Sequence, residues 1–509
     1  LSSFAERLCN IIDETTQHAV EADIAFCADR FDHCLQDWIE GVDLKDALFL
    51  NLYYRQQARL KLGYKARSFE SHAEKMTCRQ FSAFVRRHFR HAKARLWRRP
   101  QELQPLRGTS RILAIVGGPQ EVRFVQTLRR FIESDAYGFD DFQFLLKKPD
   151  VSLSTKFGEV FPGGGAVSMG DLVPASMPGS HYRDWCSRWR DLARRVWTLP
   201  EAERIRAVKV LGMLPSVLSV LWQVKRMFDQ QPSVVLGAFE KSALGTLLYE
   251  YASLFRPECQ IVGIQHGHIW QSPALSKVKL DKFLVWDELA AKNLAASGYP
   301  LMDGVEIVGN PLWSDLRQAV ADLQAAPSDF TEWKQGAPVI LVFLQPLKAD
   351  LQKRFRELVL GYLEVRSDVR LLLRPHPIYP NSGEKEWFAN LDPQKASRIR
   401  IAPDEEMSFA SALAFADVVC AIHSAALQDA VYAGCPAVSV WLDDAAATMG
   451  GECFSEVVQL CRSESDLHRS LDAGLSGESP TIKETTLPFE ERLAYLLVDL
   501  EQAVVNRSV

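Results

Sequence analysis

The sequence predicts an α/β protein built from two Rossmann-like domains behind a helical N-terminal extension. Three observations support this. Short apolar runs typical of buried strands recur at 111–116, 233–239, 260–265, 282–286 and 305–309, most of them separated by stretches with helical periodicity. After a polar stretch near 324–337, a second series places strands at 338–344, 369–374, 398–402, 418–422 and 437–441. Strands alternating with helices make parallel sheets, and 509 residues exceed one core at roughly 100–200 residues per domain. The chain accordingly divides into a helical extension (1–105), a first Rossmann-like domain (106–325), a second (326–485) and a C-terminal helix packing back on the core (486–509).

The extension lacks the strand and turn alternation of the rest. Within it, 81–100 sets Phe81, Phe84, Val85, Phe89, Leu96 and Trp97 at helical spacing against seven Lys and Arg and no acid. Such a helix can lie on an anionic membrane surface or pack between domains with a solvated basic face. The first strand ends at Gly117 and Gly118, a turn that opens a βα unit and contributes a loop to any cleft. The segment 151–180, with Gly163, Gly164 and Gly165, breaks every period and reads as a mobile loop that could serve as a lid.

Composition narrows the function classes. An apolar share of 47% and a charged share of 24% describe a globular chain. With 59 basic and 64 acidic residues, the net charge of −5 gives no global attraction for nucleic acid. Ten cysteines are scattered without CxxC or zinc-type spacing, which points to reduced, buried thiols and a cytoplasmic setting. No apolar run reaches the ~20 residues of a membrane span. The sequence opens at Leu1, as a piece of a longer protein would.

Two Rossmann-like halves place the C-terminal ends of their strands across one cleft, where ligands of such sheets bind. Candidate residues therefore lie at strand ends. Glu240 follows the strand at 233–239; there a carboxylate can act as general base or nucleophile, or complement the dipole of the helix that follows. The next strand ends in Gly263-Ile264-Gln265-His266-Gly267-His268, where glycines admit close backbone approach and an amide and imidazoles can bind hydroxyls or phosphate oxygens. Asn310, in Gly309-Asn310-Pro311, reaches toward a donor or closes an Asx-turn.

In the second half, Arg374-Pro375-His376-Pro377 directly follows a strand, and His376 can hydrogen-bond a leaving phosphate. His423-Ser424-Ala425 sits between a strand and a helix, an arrangement that offers backbone N–H groups and a positive dipole end to an anion. Glu405 or Glu406, after the strand at 398–402, is placed for a ribose. No Walker loop, GxGxxG or acidic metal pair is present, which argues against kinases and dehydrogenases and implies no metal and no separate cofactor.

Together these residues resemble a GT-B glycosyltransferase of the bacterial surface-polysaccharide kind. The His376-Pro377 pair and Ser424 resemble the paired motifs of bacterial sialyltransferases, while Gln265-His266-Gly267 is similar to capsule and lipopolysaccharide enzymes that transfer Kdo. The resemblance covers the layout of 106–480 and implies a CMP-activated ulosonic acid as donor, a surface glycan or lipid-linked precursor as acceptor, and no metal. It implies that His376 and Ser424 hold the CMP phosphate, that Glu240 is the catalytic acidic residue and that His266 stands beside the sugar, with Gln265, Asn310, Arg374, Glu405, His423 and Ala425 on the donor. The enzyme would work in the cytoplasm, at the inner membrane if 81–100 docks there. Two alternatives stay open. One is a GT-B enzyme using a UDP- or dTDP-sugar, or an epimerase or polyol-phosphate transferase; the other is a non-catalytic GT-B scaffold.

Overall fold

A computed structural model describes residues 18–27, 42–62, 112–116, 128–129, 142–146, 157, 166–168, 187–188, 191–192, 194–441 and 458–477. Breaks within 194–441 fall at 212, 230, 240–242, 270, 323–327, 345–348, 377–383, 404–405 and 423. The chain forms two compact units, one containing Glu14–Arg59 and Tyr64–Gly309, the other Asn310–Thr486.

The first unit is built on a seven-stranded sheet of β1 (Ile112–Val116), β2 (Phe142–Leu146), β3 (Ala166–Ser168), β4 (Val234–Gly237), β5 (Gln260–Ile264), β6 (Lys282–Val285) and β7 (Val305–Ile307). Its order is β3-β2-β1-β4-β5-β6-β7, parallel throughout. Every residue of β1 and β5 is buried. Apart from Gln260 at the start of β5, these strands read as apolar runs because helices cover both faces of a parallel sheet.

Helix α1 (Lys45–Leu62) belongs to the N-terminal extension and is built into this unit. Val20, Ile24, Leu48 and Tyr53 share one core with Leu113, Ile115, Leu247 and Phe283. Polar ties reinforce the junction. Arg206 Nε donates to Asp23 at 2.6 Å, and Lys279 Nζ lies 2.9 Å from Asp46 and 2.5 Å from Glu250. The remaining helices named below are α2 (Glu201–Leu211), α3 (Leu214–Phe228), α4 (Ala243–Phe255) and α5 (Glu288–Ala296).

The expectation of an irregular loop over 151–180 is corrected at two points. Phe157 is buried, in edge-to-face contact with Phe144, and Ala166–Ser168 pair with Phe144–Leu146 as an edge strand. Three residues are too few for a sequence period, so the partner strand decides. The basic helix expected at 81–100 and the C-terminal helix at 486–509 lie outside the described residues.

The second unit repeats the plan with six strands: β8 (Val339–Phe343), β9 (Arg370–Arg374), β10 (Ile399–Ile401), β11 (Val418–Ala421), β12 (Ala437–Val440) and β13 (Gln459–Cys461). The order is β10-β9-β8-β11-β12-β13, again parallel throughout. Packed with it are α6 (Pro311–Asp322), α7 (Ser328–Lys334), α8 (Ala349–Val365), α9 (Glu384–Ala389), α10 (Pro393–Ser397), α11 (Phe409–Phe415), α12 (Ala425–Tyr432) and α13 (Glu464–Leu475). In both sheets the chain order reverses about the first strand, which puts a topological switch point between β1 and β4 and another between β8 and β11.

Candidate functional site

Each switch point is flanked by a predicted element. In the first unit, Gly117 and Gly118 follow β1 and Glu240 follows β4, all three outside the described residues. The chain leading to Glu240 is pinned nevertheless. A Cβ on Gly237 or on Gly245 of α4 would come within 2.5 or 2.6 Å of Phe239, so two glycines make room for this buried ring between strand and helix. Packing, not ligand approach, accounts for both.

Beside β4, the loop after β5 is held from several directions. Gln265 is buried; its Nε2 donates to Gly267 O at 2.9 Å and its Oε1 accepts from Trp286 N at 2.8 Å. The amide thus spans from the loop to the chain just beyond β6. Farther along, Asn293 Nδ2 on α5 donates to Ile269 O at 2.9 Å and Ser297 Oγ accepts from Ser272 N at 2.9 Å. His268 is buried, whereas His266 and Gly267 are half-buried.

The two glycines of this motif differ. A Cβ on Gly263 would meet Leu280 Cδ1 at 2.4 Å, so close approach at 263 serves the core and corrects the expectation that it serves a ligand. A Cβ on Gly267 meets nothing within 4 Å among the described residues.

Asn310 opens the second unit. Gly309 takes φ +85°, a left-handed conformation that suits glycine, and the next helix starts at Pro311 with Trp313 N donating to Asn310 O at 3.1 Å. Asn310 is buried at the N-terminus of α6. No sequence pattern marks Trp313, yet it ties α6 to α12. Its indole N–H donates to the buried Asp429 carboxylate at 3.0 Å, and its ring stacks on Tyr432 with centroids 3.3 Å apart. Arg317 Nε adds a bond to Tyr432 O at 3.0 Å. An isolated tryptophan in Pro-Leu-Trp-Ser has no local signature for a partner 116 residues away.

In the second sheet, Arg374 ends β9 buried, with Nη1 donating to Met407 O at 2.8 Å and the guanidinium 5.9 Å from the Phe409 ring centre. Arg374 therefore ties the turn after β10 to the end of β9. Two residues on, His376 is half-buried at the strand's C-terminal side. Glu405 lies outside the described residues, and its neighbour Glu406 is exposed.

After β11, His423 is not described, but Ser424 is the N-cap of α12: φ −160°, ψ 140°, its Oγ accepting from Ala426 N at 3.2 Å. Leu427 N donates to Ser424 O at 3.0 Å. The cap thus uses one of the N–H groups that an anion could have claimed. The Ala425 N–H, at the first helical position, and the Ser424 hydroxyl hydrogen lie outside the helix's own ladder.

Cys27, Cys259, Cys420, Cys435 and Cys461 are buried free thiols. Burial pushes Cys27 up to about 12 and Cys435 and Cys461 up to about 11. They are poor nucleophiles at neutral pH. Among the described residues no three His, Cys, Asp or Glu converge to hold a metal ion, and no helix is long and apolar enough to cross a membrane.

No family model matches the chain, and no curated protein matches it in sequence. Solved structures do match in fold. The UDP-GlcNAc 2-epimerase of Methanocaldococcus jannaschii, solved with UDP-GlcNAc and UDP, is 12% identical with a TM-score of 0.50, covering 76% of this chain and 99% of that one. The Neisseria meningitidis UDP-GlcNAc 2-epimerase bound to UDP-GlcNAc is 10% identical with a TM-score of 0.49, over 76% and 99%. The glycotransferase of kitacinnamycin is 13% identical with a TM-score of 0.43, over 76% and 98%. At such identity the first of these speaks for fold alone. With the two parallel sheets and their matching strand orders, it makes this a protein of the GT-B fold.

Proposed function

We propose that the protein is an enzyme acting on a nucleotide-linked sugar, with a uridine diphosphate sugar as the first donor to consider. The observation that carries this is Ser424 capping α12 directly after β11, beside the switch point of the second sheet. A helix N-terminus there supplies N–H groups and a favourable dipole for phosphate. The fold likeness to a UDP-GlcNAc 2-epimerase supports a diphosphate nucleotide as the group held.

In this proposal the second unit binds the nucleotide. The Ser424 hydroxyl and Ala425 N–H hold phosphate oxygens, and His376 donates to the phosphate on which negative charge builds as the sugar–oxygen bond weakens. Arg374 and Asn310 act by positioning the turns beside them, and His423 and Glu405 complete the nucleotide side. On the first unit, Glu240 accepts a proton from a sugar or acceptor hydroxyl, or attacks the anomeric carbon, and His266 stands beside the sugar.

A second reading has its own observation. His376 in Arg374-Pro375-His376-Pro377, together with Ser424, resembles the phosphate motifs of CMP-ulosonic acid transferases acting on bacterial surface glycans. The acceptor would then be a glycan or glycolipid met at the membrane through 81–100. Calorimetry with UDP, UDP-GlcNAc, dTDP, GDP and CMP, without added metal, separates the two. Preference for UDP supports the first; selective CMP binding supports the second; binding of none removes both. Ser424→Ala should weaken the preferred nucleotide about tenfold, or ~1.4 kcal/mol, for the hydrogen bond lost to phosphate.

A further inference from the structure

Four of the described glycines of the first unit leave no room for a side chain: a Cβ at Gly237, Gly245, Gly263 or Gly304 would strike a neighbour at 2.6 Å or less. Gly267 is different in kind. It has no positive φ, and a Cβ there meets nothing within 4 Å among the described residues. The described residues therefore give no packing reason for a glycine at this position.

Its surroundings suggest one. The loop is fixed by Gln265 Nε2 on the Gly267 carbonyl at 2.9 Å and by Asn293 on Ile269, so Gly267 is not a hinge. Within 265–269 only His266 and Gly267 are half-buried; Gln265, His268 and Ile269 are buried. The loop thus offers one imidazole and, beside it, a backbone stripped of side chain, both held in place at the C-terminal end of β5, one strand from the switch point. An imidazole can both donate to and accept from hydroxyl groups. A bare backbone admits a ring to van der Waals distance.

We infer that the space over Gly267 is a subsite for a hydroxyl-bearing sugar ring, with His266 as its hydrogen-bonding wall and the missing side chain at 267 setting its size. The inference rests on the proposal of a sugar-nucleotide enzyme and adds where the sugar sits and what limits it. The proposal gives the nucleotide phosphate to Ser424 and Ala425, so substitution at 267 should affect sugar and nucleotide affinity separately.

The test is a size series, Gly267→Ala, Gly267→Val and Gly267→Leu, in the full chain. Each variant should keep the far-UV spectrum and thermal midpoint of the parent, because no described atom contests the added carbons. Affinity for UDP should be unchanged across the series, while affinity for UDP-GlcNAc should fall with side-chain size, by about tenfold or more at Val. If the parent prefers CMP, the same comparison uses CMP and CMP-Kdo. A Val variant that binds the nucleotide sugar as tightly as the parent overturns the subsite and leaves the nucleotide assignment intact. If the parent binds no nucleotide, the parent reading fails, and the subsite is judged by carbethoxylation of His266, followed by mass spectrometry with and without free GlcNAc and free Kdo. Protection by either sugar sustains the subsite, and protection by neither overturns it. A Val variant that loses thermal stability also counts against it, since a structural reason for glycine would then exist.

Discussion

Replacing Gln265 by leucine keeps the bulk of the side chain and removes both of its hydrogen bonds. The structure sets the magnitude. Trp286 N–H loses an acceptor at 2.8 Å and the Gly267 carbonyl loses a donor at 2.9 Å, with the side chain itself 2% exposed. The buried Trp286 N–H left unpaired costs about 1–3 kcal/mol and the part-buried Gly267 carbonyl about 0.5–1.5, so the pair should cost ~1.5–4.5 kcal/mol. Urea titration followed by tryptophan fluorescence reads this directly: at a slope of ~3 kcal/mol/M, the transition of the first unit should move down by about 1 M. Gln265→Glu should be no more stable than the leucine variant at neutral pH, because although one oxygen still accepts from Trp286 N, the other sets a buried negative charge against the Gly267 carbonyl oxygen. A leucine variant within ~0.5 kcal/mol of the parent would refute the view that this amide holds the histidine loop to the sheet.

Three further outcomes can be measured alongside. Gly263→Ala should destabilise by ~1–3 kcal/mol through its clash with Leu280, and the cost should shrink in a Leu280→Ala background; additive losses would argue against the clash. Trp313→Phe preserves the stack on Tyr432 but abandons the buried Asp429 carboxylate, a loss of about 1.5–3 kcal/mol in the second unit that Asp429→Asn should partly mask in a double-mutant cycle. Cys435 and Cys461, both raised to about 11 by burial, bind their protons more tightly folded than unfolded. Their contribution is therefore complete below the ordinary thiol range and is lost as pH climbs from ~8.5 through 11, so stability should fall across that window and fall less in a Cys435→Ala, Cys461→Ala variant whose own baseline is measured at pH 7.

Legibility in the sequence followed the distance over which each feature is decided. Strands β1, β4–β6, β8, β9, β11 and β12 are apolar runs in themselves, and their expected bounds fall within two residues of those observed. All four edge strands have three residues and one neighbour; β7 and β10 fall within the expected runs 305–309 and 398–402, whereas β3 and β13 lack such runs and exist because Phe144–Leu146 and Val438–Val440 offer a free edge. The candidate site divides the same way. Its location at strand ends follows from a parallel sheet alone, but the role of each side chain depends on remote partners. Gln265 sits in a motif read for ligand contact, and its bond to the backbone of Trp286, 21 residues on, has no local signature. Gly263 and Gly267 look alike in Gly-Ile-Gln-His-Gly, and only the position of Leu280 tells that one is filled and the other open.

Because the N-terminal extension shares the core of the first unit, its residues leave the ribosome well before the partners they pack against. Asp23 meets Arg206 across 183 residues and Tyr53 meets Ser272 across 219. At about 5–20 residues per second, those partners arrive roughly 10–40 s after the helices that need them. During that interval Val20, Ile24, Leu48 and Tyr53 have no sheet to cover. Synthesis of this chain therefore includes an interval in which its N-terminal helices lack their partners, and slowing translation before residue 280 should raise aggregation where slowing it afterwards does not.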